Sequence, residues 1–167
     1  MPNSIEIEIK SLLGDREKAE DIKRKISERN GIFVSKNSQL NHYFTLSDIE
    51  QFKRKVSPLI EESRLENFES ILDFGTDFSV RTREVLGKVI LVIKASLGED
   101  SSSNGISRLE FEAQVNMSLK ELDQVLLDAG LTYQAKWSRD REEYKLGDVN
   151  ICIDKNAGCG YLAEFEK

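Results

Sequence analysis

The sequence predicts an α+β fold in which eight antiparallel strands close into a β-barrel, a tunnel, with helices flanking it. Three observations carry this expectation. Segments alternating apolar and charged residues with period two recur along the chain. Helical segments with recognisable cap signals fall between them. With the β-rich runs that do not alternate strictly, such as Lys88–Ser96, the strands number eight, a count at which an antiparallel sheet can close around an interior filled by side chains or one ligand. At 167 residues the chain has the length of one domain, long enough to bury a core without disulfides or a structural metal. The expected organisation is a single domain over residues 1–167, with a helical insertion at about 47–75.

Ser4–Leu12 (SIEIEIKSL) is the first strand, with Ile5, Ile7 and Ile9 on one face and Glu6, Glu8 and Lys10 on the other. Asp15 precedes Ala19, Ile22 and Ile26 at helical spacing, and Asn30–Gly31 stops that helix. Gln39–Leu46 is a second strand. Ser47 with Glu50 reads as a capping box opening a helical stretch that Pro58 interrupts. Asp77–Glu84 and Lys88–Ser96 are strands joined at Gly87, and a polar loop at 98–105, expected to be mobile, leads to a strand over Ile106–Asn116. Ser118 with Glu121 caps a helix carrying Leu119, Leu122, Leu126 and Ala129, which Gly130 closes. Trp137–Tyr144, Asp148–Asp154 and Gly160–Glu166 complete the strands.

Composition narrows the function classes. The chain is 39% hydrophobic and 32% charged, which marks a globular protein, and its net charge is 24 − 30 = −6. That balance argues against a broad basic face for duplex nucleic acid or for an anionic membrane, while leaving room for a local basic pocket. Cys152 and Cys159 have no metal-like spacing, and neither a transmembrane-length apolar run nor a signal-like segment is present. A reduced, cytoplasmic setting is expected, with the protein a monomer or homodimer.

In a strand, residues i and i+2 point to the same side. Five strands then place like charges together: Glu6, Glu8 and Lys10; Arg81 and Arg83; Arg108, Glu110 and Glu112; Arg139 and Arg141; Glu164 and Glu166. One such strand is what any sheet with a wet face shows. Doubled like charges on five are harder to explain, because two carboxylates at i and i+2 sit roughly 7 Å apart and repel by about 2–3 kcal/mol at an effective dielectric near 20. Mg²⁺ or Mn²⁺ would relieve that repulsion and still keep positions for water and phosphate oxygen. Arg supplies the complement, since its planar fork binds phosphate bidentately. With no glycine-rich phosphate loop and no Cys/His zinc pattern, phosphates would have to be held by side chains.

The pattern Glu6-Ile7-Glu8-Ile9-Lys10 resembles the ExExK signature of the CYTH family, the triphosphate tunnel metalloenzymes. The resemblance continues through Tyr43-Phe44, Val80-Arg81-Thr82-Arg83, Ile93-Lys94, Ser107 to Glu112, Arg139-Asp140-Arg141 with Tyr144, Asp154, and Leu162 to Glu166. It implies the same eight-stranded tunnel. It further implies that Glu6, Glu8, Glu164 and Glu166, with Asp154 nearby, hold Mg²⁺ or Mn²⁺, and that Glu110 and Glu112 add acidic wall. Lys10, Arg81, Arg83, Lys94, Arg108, Arg139 and Arg141 would grip a triphosphate-containing small molecule, and Lys94 with Tyr43 would orient or deprotonate an attacking water.

Three functions use such a tunnel: metal-dependent hydrolysis of an inorganic or organic triphosphate, the leading expectation; cyclisation of ATP to cyclic AMP with release of pyrophosphate, as in class IV adenylyl cyclases; and non-catalytic sensing of polyphosphate or nucleotide. Outside this set, His42 alternates with Tyr43 and is expected to be structural. Trp137 shares parity with Arg139 and is expected to pack. The Lys-rich run from Lys18 to Lys25 is the solvated side of the first helix.

Overall fold

The computed structural model describes residues 5–97 and 107–167. The polar loop expected at 98–105, and Ile106, lie outside the described residues. In chain order the elements are β1 (Ile5–Gly14), α1 (Arg16–Glu28), β2 (Ile32–Thr45), α2 (Ile49–Val56), a 3₁₀ turn (Ser57–Leu59), α3 (Glu62–Phe74), β3 (Gly75–Val85), β4 (Lys88–Leu97), β5 (Ser107–Val115), α4 (Leu119–Asp128), β6 (Thr132–Leu146), β7 (Val149–Asn156) and β8 (Gly160–Glu166). The eight strands close into an antiparallel barrel in the order β1-β5-β4-β3-β2-β6-β7-β8.

Local chemistry accounts for most element ends. Asp15 accepts from the Lys18 amide at 2.9 Å and caps α1. The expected capping box at α4 forms, Ser118 Oγ accepting from the Glu121 amide and Glu121 accepting from the Ser118 amide. At α2 the cap is Asp48 rather than Ser47, since Asp48 Oδ1 accepts from the Gln51 amide at 3.0 Å. Proline at the start of the 3₁₀ turn separates α2 from α3, as its missing N–H requires. Gly160, at φ +76°, lies where a Cβ would strike the Gly14 carbonyl, so the β1–β8 pairing needs glycine there.

Two strands are longer than the sequence pattern suggests. β2 starts at Ile32 and β6 at Thr132: IFVSKNS joins its strand without apolar–polar alternation, and TYQAK alternates only through Tyr133 and Ala135. Staggered barrel strands can run past the part that encloses a core, and Ile32, Phe33 and Val34 are exposed accordingly. In the first strand the charged face is the enclosed one. Ile7 is 47% exposed while Glu6 is only 8% exposed, so the isoleucine face points away from the enclosed side and the charged face is the protected one. Period two fixed the pairing of faces but not which face is buried.

The chain divides into two compact units. In the first, which takes Ile5 and Glu6 together with described residues from Asn41 to Lys136, the helices α2, α3 and α4 cover β3, β4 and β5. Phe52, Phe68 and Phe111 stack in sequence with ring centroids 6.0 and 5.5 Å apart, and Leu91, Ile93 and Leu126 fill the same core. In the second, Ile7–Leu40 with Trp137–Lys167, Ala19 and Ile26 of α1 pack on Ile151, Ile153 and Ala163. Among the described residues no helix is long and apolar enough to cross a membrane.

Candidate functional site

The alternation of β3, β4 and β5 turns Val80, Ile93 and Phe111 toward the helices and leaves Arg81, Arg83, Lys94, Glu110 and Glu112 on the opposite, inner face. Register makes Lys94 the cross-strand partner of Glu110. Lys94 Nζ donates to Glu6 Oε2 at 2.9 Å and to Oε1 at 3.1 Å, and forms an ion pair with Glu110 Oε2 at 3.5 Å. Burial, together with the hydrogen bond that a protonated Glu110 donates to the neighbouring Glu6 carboxylate, pushes the Glu110 carboxyl up to about 9 despite the opposing pull of Lys94. Arg83 donates from Nε to Asn41 Oδ1 at 2.9 Å and reaches Glu112 Oε1 at 3.3 Å. The Arg81 guanidinium lies 4.6 Å from the Tyr43 ring centroid, a cation–π contact, and its Nε donates to Ser79 Oγ at 3.2 Å. Arg108 donates to the Asp77 carbonyl at 3.0 Å, where a register shift in β3 and a φ of +50° at Asp77 turn that carbonyl toward it.

The second unit has a matching set. Arg141 and Asp154 are cross-strand partners and form a fork-to-fork pair, Nε to Oδ1 and Nη2 to Oδ2, both 2.7 Å. Nη2 also donates to Glu164 Oε2 at 2.7 Å. Arg139 adds Nη1 to Asp154 Oδ2 at 3.3 Å and Nε to Gln39 Oε1 at 2.8 Å. Lys10 pairs with Glu8 at 2.6 Å and approaches Glu164 at 3.8 Å. Burial works against the charge of both Arg141 and Glu164. It is outweighed at Arg141 by Asp154 and Glu164, which raise the guanidinium further, and at Glu164 by Arg141, Lys10 and Arg139, which hold the carboxylate below its usual range. Cys152 faces Glu164 in register, and burial pushes its thiol up to about 12.

Among the described residues, a set of carboxylates that could hold a divalent ion lies at the start of β1 and the end of β8. Glu8 and Glu166 are register partners, and one carboxylate oxygen from each of Glu6, Glu8 and Glu166 lies within 4.8 Å of the other two. Three hard oxygens at that spacing suit Mg²⁺ or Mn²⁺. Two of these three are ion-paired as they stand, Glu6 with Lys94 and Glu8 with Lys10, and the other acidic residues of the expected set are paired as well: Asp154 and Glu164 with arginine, Glu112 with Arg83, and Glu110 with Lys94. Lys94 and Tyr43, expected to act as a pair, are engaged separately, Lys94 with Glu6 and Glu110, Tyr43 beneath Arg81. His42 is structural as expected, its Nδ1 lying 2.6 Å from Asp123 Oδ2 on α4.

Two buried amides on the inner face, Gln39 and Asn41, were not among the candidates. They had a legible signal, since Asn37, Gln39, Asn41 and Tyr43 recur with period two, but uncharged polar residues are also what an ordinary wet face carries.

No family model matches the chain, and no curated protein matches it. Among solved structures it is similar to a conserved hypothetical protein of Pyrococcus furiosus, with a TM-score of 0.70 at 22% identity over 97% of this chain and 78% of that one. It is also similar to a candidate adenylate cyclase of Vibrio parahaemolyticus, with a TM-score of 0.59 at 14% identity over 98% of this chain and 76% of that one. A candidate adenylate cyclase of Bacillus halodurans gives a TM-score of 0.53 at 20% identity over 100% of this chain and 82% of that one. At these identities the likeness is one of fold.

Proposed function

We propose that the chain is a divalent-metal-dependent triphosphatase of the CYTH type. The observation that carries this reading is the protected charge within each unit: Lys94 with Glu6 and Glu110 in one, and Arg141 with Asp154 and Glu164 in the other, stand where barrel strands ordinarily carry apolar filling. Buried ion pairs contribute little net stability, so their presence calls for another purpose. Arg139, Arg141 and Lys10 in one unit, and Arg81, Arg83, Lys94 and Arg108 in the other, offer forks and ammonium groups to phosphate oxygens. Glu6, Glu8 and Glu166 are the carboxylates that fit Mg²⁺ or Mn²⁺. Such an ion, when bound, would neutralise developing charge on the phosphates and relieve the repulsion among these carboxylates.

In the reaction, a water oxygen bonds to the terminal phosphorus as the bridging P–O bond breaks, and the electron pair leaves with the remaining diphosphate, which is pyrophosphate when the substrate is tripolyphosphate. The arginines hold the substrate in line and stabilise the charge, which supplies most of the catalysis in phosphoryl transfer. Lys94, released from Glu6 by the substrate and acting as the free amine, orients the water and accepts its proton. Tyr43 serves by fixing the plane of Arg81.

A second reading, an adenylyl cyclase in which the ATP 3′-oxygen attacks the α-phosphorus, is favoured by the shared fold with the Vibrio and Bacillus candidate cyclases. Incubation with tripolyphosphate, ATP and thiamine triphosphate in Mg²⁺ or Mn²⁺, followed by product analysis, decides the matter. Orthophosphate supports hydrolysis, cyclic AMP with pyrophosphate supports cyclisation, and binding without product means a sensor.

A further inference from the structure

On the outer face of the barrel wall, behind the arginines, sits a buried carboxylate that the proposed function does not use. Asp123 on α4 is 4% exposed. Its Oδ1 accepts from Thr82 Oγ1 at 2.6 Å, and its Oδ2 meets His42 Nδ1 at 2.6 Å and accepts from Tyr133 Oη at 2.8 Å. A carboxylate has no hydrogen to give, so His42 Nδ1 is the donor. One side chain thus receives hydrogen bonds from three strands, β2, β3 and β6.

The place of these donors in their strands gives the arrangement its significance. Thr82 lies between Arg81 and Arg83, and His42 lies between Asn41 and Tyr43. On the inner face two contacts join the same strands: Arg83 Nε to Asn41 Oδ1 at 2.9 Å, and the Arg81 guanidinium over the Tyr43 ring at 4.6 Å. Those two antiparallel contacts set His42 opposite Thr82. Asp123 therefore bridges β2 and β3 from outside at the level where the arginines meet their partners inside. Side chains alternate across a strand, so whatever fixes the outward residue also fixes the backbone from which its two inward neighbours project.

We propose that Asp123 is a positioning residue: by clamping Thr82 and His42 from the outer face, it holds Arg81 and Arg83 in the geometry that binds phosphate. The hydrogen bond from Tyr133 serves the docking of α4 and plays no part in this. The purpose of Arg81 and Arg83 rests on the triphosphate reading above, whereas the clamp itself does not.

The decisive variant is Thr82→Val, which removes one hydroxyl at constant shape, with Thr82→Ser as the restoring change and Tyr133→Phe as the comparison. Calorimetric titration with tripolyphosphate in Mg²⁺ should show Thr82→Val binding roughly tenfold more weakly than wild type, within the hundredfold that an ångström of misplacement can cost. Thr82→Ser and Tyr133→Phe should bind like wild type. Asp123→Asn should weaken binding as Thr82→Val does; if it fails to fold, Thr82→Val carries the test. Wild-type affinity in folded Thr82→Val overturns the proposal. So does equal weakening in Tyr133→Phe, which would trace the effect to α4 docking in general. Should the wild type not bind tripolyphosphate, the triphosphate reading falls and the clamp is judged by NMR alone. The Arg83 Nε–H resonance, held by Asn41, should shift or broaden in Thr82→Val and stay in place in Tyr133→Phe; an unmoved resonance in Thr82→Val overturns the clamp.

Discussion

Replacing Asp154 with Asn should destabilise the protein strongly and make its stability depend on bound polyphosphate. Asp154 is 0% exposed and accepts two 2.7 Å hydrogen bonds from Arg141 and one of 3.3 Å from Arg139. Asparagine keeps the shape but removes the charge and turns one acceptor into a donor facing a guanidinium. Two arginines are then left with Glu164 as their shared carboxylate. Losing one partner of a buried pair costs about 3–5 kcal/mol. For a chain of this size each kcal/mol moves the midpoint by roughly 2–4 °C, so the variant should melt about 6–20 °C below wild type. If the arginines are phosphate ligands, an added polyanion replaces the missing carboxylate. Ligand at a hundred times its Kd adds about 2.7 kcal/mol, so tripolyphosphate should recover a large part of the loss. The assay is a thermal melt followed by circular dichroism, with and without tripolyphosphate, using potassium chloride at matched ionic strength as the control for screening. A variant melting within 2 °C (roughly half a kcal/mol) of wild type would show that the pair is not what holds this wall. A large loss that tripolyphosphate does not recover, or that chloride recovers equally, would refute the assignment of Arg139 and Arg141 to phosphate.

Three further outcomes are expected. Glu8→Gln should leave the fold intact and remove most of the upward shift in melting midpoint that Mg²⁺ gives the wild type, because Glu8 is held for charge and not for packing; equal shifts in the two proteins would count against Glu6, Glu8 and Glu166 as the ion's ligands. Tyr43→Phe should bind and turn over tripolyphosphate nearly as wild type, since the aromatic ring beneath Arg81 is kept, while Lys94→Ala should lower turnover by about 10²–10⁴; a large rate loss in Tyr43→Phe would return the hydroxyl to the chemistry. Without metal, stability should fall as pH rises from about 5 toward 9, because Glu110 keeps its proton up to about 9 in the folded chain and loses it near 4.5 when unfolded; Glu110→Gln should flatten that slope in melts across the range, and an unchanged slope would place the proton elsewhere.

Much of this protein was legible in its sequence because it is written in short periods. Period two and short β-rich runs located the eight strands, and the caps at Asp15 and Ser118 located helix starts, since these signals depend only on residues within a few positions of one another. The same periodicity grouped Arg81 with Arg83, Arg139 with Arg141, and Glu164 with Glu166 on common faces. Period two alone does not say that the Ile5–Ile7–Ile9 face is the exposed one, since the way a sheet curls depends on strands far apart in sequence; that expectation comes from the like charges repeated on five strands and from the tunnel the resemblance implies. Nor could periodicity choose partners. That Asp154 serves Arg141, that Lys94 meets Glu6, and that Tyr43 lies under Arg81 were decided by register and closure of the barrel. Asp123 is the clearest case: a single Asp on an amphipathic helix looks like any solvated charge, and only the packing of α4 against the back of β2 and β3 turns it into the acceptor for three strands.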